Sequence, residues 1–202
     1  FDEMLRAIKF VLDTKDLGLR LYLTGSRDEP WVLVLYCDSD YAGDPDTRRS
    51  VSGYILLVKG VPVAWRSKAQ RSVTLSSSEA EWISLSEAVK EIMFVLQILE
   101  AMKIKVQLPV IVRVDNVGAI FMSTNVTTSQ RTKHVDVRFK HVAESILEGV
   151  VRVRYIPTKW NYADILTKPL GRIEFERIRD LGRKPESSQV DNLTVMTEEV
   201  DI

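Results

Sequence analysis

Trp31-Val32-Leu33-Val34-Leu35-Tyr36-Cys37-Asp38-Ser39-Asp40 is the stretch on which the fold turns. Its apolar part is too short and too rich in β-formers for a buried helix, so the reading is a buried strand over 31–37. The strand runs directly into two aspartates, which places acidic side chains where a hydrogen-bonded ladder stops. After a loop containing Gly43, Asp44 and Pro45, Ser50–Lys59 carries Tyr54, Ile55, Leu57 and Val58 and reads as a second strand. Gly60 turns it into a third over Val61–Ser67, and Val73–Leu75 is a candidate for edge pairing.

Downstream the period changes. Ser76 with Glu79 three residues later has the form of a capping box. Trp82, Leu85, Val89, Ile92, Leu96 and Leu99 then give one apolar face to a long helix reaching Met102. Val110–Val114 is a short strand ending at Asp115, Val117–Ser123 a short helix, Asn125–Lys133 a polar loop, and His134–Leu147 a helix stopped by Gly149. Val150–Ile156 is a fifth strand, and Tyr162–Thr167 a brief helix closed by Pro169. Upstream, residues 2–16 have helical spacing, Leu19–Leu23 is a possible strand, and Gly25–Pro30 is a polar linker. Three meandering strands followed by strands alternating with helices predict an α/β unit with a mixed sheet flanked by helices.

Composition sets wide bounds. The 202 residues carry 28 basic and 28 acidic side chains, with 45% hydrophobic and 28% charged, which excludes a largely disordered chain. The neutrality conceals a gradient: residues 31–170 hold 18 basic and 14 acidic side chains, residues 171–202 five and eight. A modest positive excess in the middle permits a polyanionic partner without demanding one. The single cysteine, Cys37, allows no internal disulfide and fits a reducing compartment. Apolar runs such as Ile92–Leu96 fall far short of the roughly 20 residues of a membrane span, so no membrane partner is expected. Phe1 opens directly in helical pattern, as expected of a piece cut from a longer chain.

Four acids stand at element ends: Asp38, Glu79, Asp115 and Asp164. In a mixed sheet such positions can converge, and several carboxylates around two divalent ions suit in-line phosphoryl displacement. Mg²⁺ fits oxygen ligands of this kind. Each acid also has a purely structural reading: an Asx turn for Asp38, a helix-start acid for Glu79, a cap for Asp115, a surface charge for Asp164.

The chain resembles the ribonuclease H domain of copia-type LTR-retrotransposon polyproteins. The strings that carry the resemblance are Tyr36–Gly43, Arg48–Tyr54, Leu75–Glu81, Val114–Asn116, Arg131–Asp136 and Ala163–Pro169, and the match covers roughly residues 1–171. It implies a ribonuclease-H-like fold, a five-stranded mixed sheet with helices on both faces. It further implies hydrolysis of the RNA strand of RNA–DNA hybrids with two Mg²⁺ ions, Mn²⁺ able to substitute, leaving a 5′-phosphate and a 3′-hydroxyl. By position, Asp38 would bridge both metals. Glu79 and Asp115 would hold the ion near the leaving oxygen, and Asp164 the ion that activates water. Partners would be the hybrid and the reverse transcriptase domain of the same polyprotein, in a cytoplasmic virus-like particle. Residues 1–30 would connect to the reverse transcriptase, 31–171 form the domain, and 172–202 a loosely ordered extension.

Ser76, Ser77, Ser78 and Asn116, beside catalytic positions, are candidates for sugar contacts. Arg48, Arg49, Arg66, Lys68 and Arg71 are candidates for phosphates of the DNA strand, or for a charged sheet edge that resists aggregation. Cellular relatives carry a histidine shortly before the last aspartate. Here Pro157–Ala163 has none, so that role is unassigned or falls to Lys159; His134 either approaches the metals instead or, with Asp136, organises the start of its helix. His141 reads as a surface or half-buried helix residue, and Trp82 and Cys37 as core. Asp40 and Glu81 are further acids near the site, not separable from surface charge. Two other readings share the sheet: a non-catalytic connection domain, which usually lacks some of the four acids, and an integrase-type core, which places its glutamate last.

Overall fold

A computed structural model describes residues 2–17, 26, 28–124 and 133–181, the side chains of residues 3, 121–124, 133–139 and 180–181 excepted. The expected strand at Leu19–Leu23, the loop at 125–132 and the chain beyond residue 181 lie outside them. In chain order the elements are α1 (Asp2–Thr14), β1 (Leu33–Asp40), β2 (Val51–Val58), β3 (Val61–Ala69), α2 (Ser77–Ala101), β4 (Val110–Val114), α3 (Val117–Thr124), α4 (Lys133–Leu147), β5 (Val151–Tyr155), α5 (Asp164–Thr167) and α6 (Arg172–Leu181).

The sheet order is β3-β2-β1-β4-β5. β1 pairs antiparallel with β2 and parallel with β4, β2–β3 is an antiparallel hairpin, and β4–β5 is parallel. This is the ribonuclease-H-like α/β arrangement that the resemblance implies. The hairpin turns on Lys59 (φ 49°) and Gly60 (φ 77°), two successive left-handed residues whose twist suits a two-residue loop.

β1 is buried on both faces, which is why its sequence is a continuous apolar run rather than an alternating one. Leu33, Leu35 and Cys37 join Leu85, Val89 and Ile92 of α2 and Val142 of α4 in the main core. Tyr36, on the other face, packs with Leu57, Ile156, Tyr162 and Ile178. Ile178 lies in α6, so a helix just past the expected end of the domain at residue 171 covers this second face. Cys37 and Trp82 are buried, as expected of core residues.

Val73–Leu75 forms no strand. Buried Thr74 holds Ser50 through their hydroxyls (2.9 Å), so the segment folds against the end of the β1–β2 loop instead of lying along β3. Among the described residues no helix is long and apolar enough to cross a membrane.

Candidate metal centre

The site begins where two parallel strands part. The β1–β4 register runs from Val34 opposite Ile111 to Tyr36 opposite Arg113 and stops there. Beyond it lie Asp38 on β1 and Asp115 just after β4. Strand ends that separate expose backbone groups needing other partners. Asn161, fully buried, supplies one: its Nδ2 donates to the Cys37 carbonyl (3.0 Å) while its Oδ1 accepts from the Ala163 amide (3.2 Å). That one side chain fixes the start of α5 against the end of β1. The Asp38 carbonyl accepts from Ser84 Oγ on α2 (2.8 Å).

The helix contributes Glu81 and not Glu79. Ser76 Oγ accepts from the Glu79 amide (3.1 Å), and the Glu79 carboxylate accepts from the Leu75 amide (2.7 Å), so Glu79 is consumed by the helix cap. Two residues on, roughly 200° around the helix, Glu81 faces the strand ends. It is 5% exposed, and its Oε1 accepts from the Ser39 amide (3.1 Å). Asp38, Glu81 and Asp115 each place a carboxylate oxygen within 4.8 Å of the other two. The assignment of Glu79 to the acidic cluster is thereby corrected: the capping geometry that made it conspicuous in the sequence is what turns it away. Gln70 secures the first turn of α2, its Nε2 donating to Ala80 O (2.9 Å) and Ser52 Oγ (2.8 Å).

Asp164 enters from α5. Glycine at position 53, paired in register with Asp38, lets α5 come close: a Cβ there would lie 2.6 Å from Thr167 Cγ2 and 3.0 Å from Leu166 Cβ. Thr167 Oγ1 then donates to Asp38 Oδ2, and Lys168 Nζ lies 3.0 Å from both Asp38 Oδ1 and Asp164 Oδ1. Asp115 is held from the turn before α5, where Thr158 Oγ1 donates to its Oδ2 (2.7 Å).

Crowding of negative charge shows in the proton affinities. Burial, with Asp38 and Asp115 adding to it, pushes Glu81 up to about 8. Burial and Asp38 raise Asp164 to about 6 against the opposing pull of Lys168. Burial raises the Cys37 thiol well above its ordinary value, leaving a neutral core group. Glu81 Oε2 is buried without a hydrogen-bond partner among the described residues. A set of hard oxygen donors with one buried oxygen unmatched fits a divalent cation such as Mg²⁺.

The chain is 32% identical over 178 residues, 88% of its length, to the retrovirus-related Pol polyprotein from transposon RE2 of Arabidopsis thaliana. It is 37% identical over 150 residues, 74% of its length, to that from transposon TNT 1-94 of Nicotiana tabacum. Its homologues are retrovirus-related Pol polyproteins of transposons. It spans 12% and 11% of the length of those two relatives. No family model matches it. Among solved structures it is similar to LC11-RNase H1 in complex with RNA/DNA hybrid, with TM-score 0.49 and 19% identity, covering 67% of this chain and 93% of that one.

Around the acids, the other expected contact residues divide. Ser76 Oγ is engaged in the cap, and Asn116 Oδ1 accepts from Ala119 N (3.0 Å), capping α3. Ser78 lies against the same turn, since a Cβ on Gly118 would come within 2.5 Å of its Oγ. Ser77 is exposed. Lys68 and Arg71 line a cleft of about 280 Å³ between β2, β3 and α2, together with Arg66, Gln70 and Lys90. Arg66 there is 3.7 Å from Glu87. Arg48 (φ 55°) and Arg49 stand on the exposed β1–β2 loop, where Asp44 accepts from the amides of Asp46 and Thr47 (both 2.9 Å). Those bonds hold the Asp44 carboxyl below its ordinary range. Asp40 ends β1, half-buried. Lys159 stacks over Trp160, its Nζ 5.5 Å from the ring centroid, and His141 is a half-buried residue of α4. The side chain of His134 lies outside the described residues.

The sequence reading names Glu81 only as a further acid near the site, not separated from surface charge, and gives Lys168 no role. The first had a usable signal: Glu81, Leu85, Ala88, Ile92 and Leu99 continue a single helical stripe, all buried. An acid on the apolar stripe of a core helix is the conspicuous residue, more so than an acid in a cap.

Proposed function

We propose that this chain is the ribonuclease H domain of a retrotransposon Pol polyprotein of copia type, cutting the RNA strand of RNA–DNA hybrids with two divalent ions, Mg²⁺ or Mn²⁺. The observation that carries the reading is the buried convergence of Asp38, Glu81 and Asp115, with Asp164 beside Asp38. Asp38, Glu81 and Asp115 would hold one ion, and Asp38 with Asp164 the other. Bound ions of this kind lower the pKa of water and offset charge on the leaving oxygen, so no protein general base is needed. The protein's part is positioning. Thr158 orients Asp115, Thr167 orients Asp38, and the Ser39 amide orients Glu81, so each carboxylate is fixed before substrate arrives.

Ser77, Ser78 and Asn116 beside the acids are the proposed contacts to RNA sugars. Arg48, Arg49, Lys68 and Arg71 are the proposed contacts to phosphates, which set register and contribute affinity but no sequence preference. The reverse transcriptase of the same polyprotein is the proposed neighbour, with residues 1–30 joining it to the domain. The setting follows that of the polyprotein, a virus-like particle in the cytoplasm.

The test is cleavage of a labelled RNA–DNA duplex against a DNA–DNA control, with and without Mg²⁺. Asp38→Asn and Asp115→Asn should abolish RNA cleavage while far-UV circular dichroism stays unchanged. Retained cleavage in both variants, or cleavage of the wild type in EDTA, refutes the reading.

A further inference from the structure

The four carboxylates are not equivalent in this structure. Asp38, Glu81 and Asp115 face one another with an unmatched oxygen on Glu81, whereas the space between Asp38 and Asp164 is already bridged by a cation of the chain's own. Lys168 Nζ is 3.0 Å from an oxygen of each, and those two side chains are only 1% and 3% exposed. An i,i+4 lysine on a short helix usually makes a solvated pair of little consequence. Lys168 differs because its second partner lies 130 positions away on β1, and because both acids are sequestered. Its backbone is fixed too, the Lys168 amide donating to the Asp164 carbonyl (3.0 Å).

We propose that Lys168 is an internal cation that occupies the Asp38–Asp164 position in the absence of substrate, so that the free chain takes up one divalent ion, at Asp38–Glu81–Asp115, and a second only when the ammonium withdraws. This rests on the metal-dependent reading above. The charge arithmetic supports it: two sequestered like charges need a counter-charge, and an ammonium and a divalent ion cannot share one gap without strong repulsion. The exit is available. The Lys168 side chain is 31% exposed, on a flexible four-carbon stem, and a phosphate brought by substrate offers the ammonium another partner. The second ion would then load with the substrate, which keeps a complete hydrolytic centre from standing assembled in the free protein.

The test is Mn²⁺ binding to the full chain without nucleic acid, read by electron paramagnetic resonance and calorimetry. The wild type should bind one ion per chain. Lys168→Met should bind two, and the added ion should vanish in the Lys168→Met/Asp164→Asn double variant. Lys168→Arg, which keeps the charge, should bind one. A wild type that binds two ions overturns the proposal without any variant, as does Lys168→Met binding one ion or none. A wild type that binds no Mn²⁺ at all refutes the metal-dependent reading and this proposal together, whereas one ion in both wild type and Lys168→Met refutes only the role of the lysine.

Discussion

Replacing Glu81 by glutamine should make the metal-free protein more stable at alkaline pH while removing its function. Glu81 has an ordinary carboxyl value of 4.5 and is pushed to about 8 in the folded protein. Between those values the folded state binds a proton that the unfolded state has released. Stability must therefore fall as pH rises through this window, with a limiting slope of about 1.4 kcal/mol per pH unit. Integrated to neutral pH, the charge costs roughly 3 kcal/mol. Asp164, raised from 3.8 to about 6, adds to the slope at lower pH but is largely ionised by pH 7. The interval from pH 7 to 8 therefore isolates Glu81. The replacement amide keeps an oxygen to accept from the Ser39 amide but leaves a buried NH₂ short of partners, a cost of about 1–3 kcal/mol. By pH 8 the charge costs about 4 kcal/mol, so the net expectation there is a gain of about 1–3 kcal/mol, with a neutral or negative effect at pH 5 and loss of the slope between pH 7 and 8. Urea unfolding in EDTA at pH 5, 6, 7 and 8 measures this directly. Glu79→Gln should cost about 0.3–1 kcal/mol through the helix start and leave the slope between pH 6 and 8 unchanged. A wild-type slope in Glu81→Gln, or its disappearance in Glu79→Gln, refutes the assignment of the buried acid.

Two further substitutions test how the site is built. Gly53→Ala puts a methyl group 2.6 Å from Thr167 Cγ2 and 3.0 Å from Leu166 Cβ, so α5 must shift. A loss of about 1–3 kcal/mol in urea unfolding is expected, with weakened Mn²⁺ binding; unchanged values of both would show that α5 is not seated on β2. Lys103, exposed and left-handed (φ 59°) after α2, sits where the Ile104 amide donates back to Leu99 O (2.9 Å). Lys103→Gly should raise stability by about 0.5–1 kcal/mol, and a drop in the urea midpoint would contradict that capping geometry.

Much of the fold is legible in the sequence because the buried elements announce themselves. A continuous apolar run such as 31–37 needs helices on both sides, and the structure supplies α2 on one face and α5 with α6 on the other. What escapes is set by contacts distant in the chain. Arg172–Leu181 is polar in composition, and its few apolar residues matter through distant partners, Ile178 meeting Tyr36 and Tyr162 on the second face and Phe175 meeting Phe10. At the site, Glu79 and Glu81 have the same charge and neighbouring positions. Only the side of the helix on which each falls distinguishes them, and a cap signature draws attention to the wrong one. Lys168 is illegible for another reason, since nothing local marks a lysine whose two partners are joined through Gly53.

Lys168 supplies the counter-charge between Asp38 and Asp164, and the remaining ties around the acids are neutral. Asn161, Ser84 and Gln70 satisfy backbone carbonyls at the ends of β1 and the start of α2, all of them uncharged and buried. Had those carbonyls been satisfied by lysine or arginine, Glu81 and Asp115 would also have acquired a permanent counter-ion and lost their demand for a divalent one. With neutral ties the framework stays rigid while Glu81 keeps an oxygen without a partner and a raised proton affinity. The instability this stores in the metal-free protein is the same free energy that an ion recovers on binding. Metal affinity and the alkaline loss of stability should therefore change together across variants of Glu81 and Asp115.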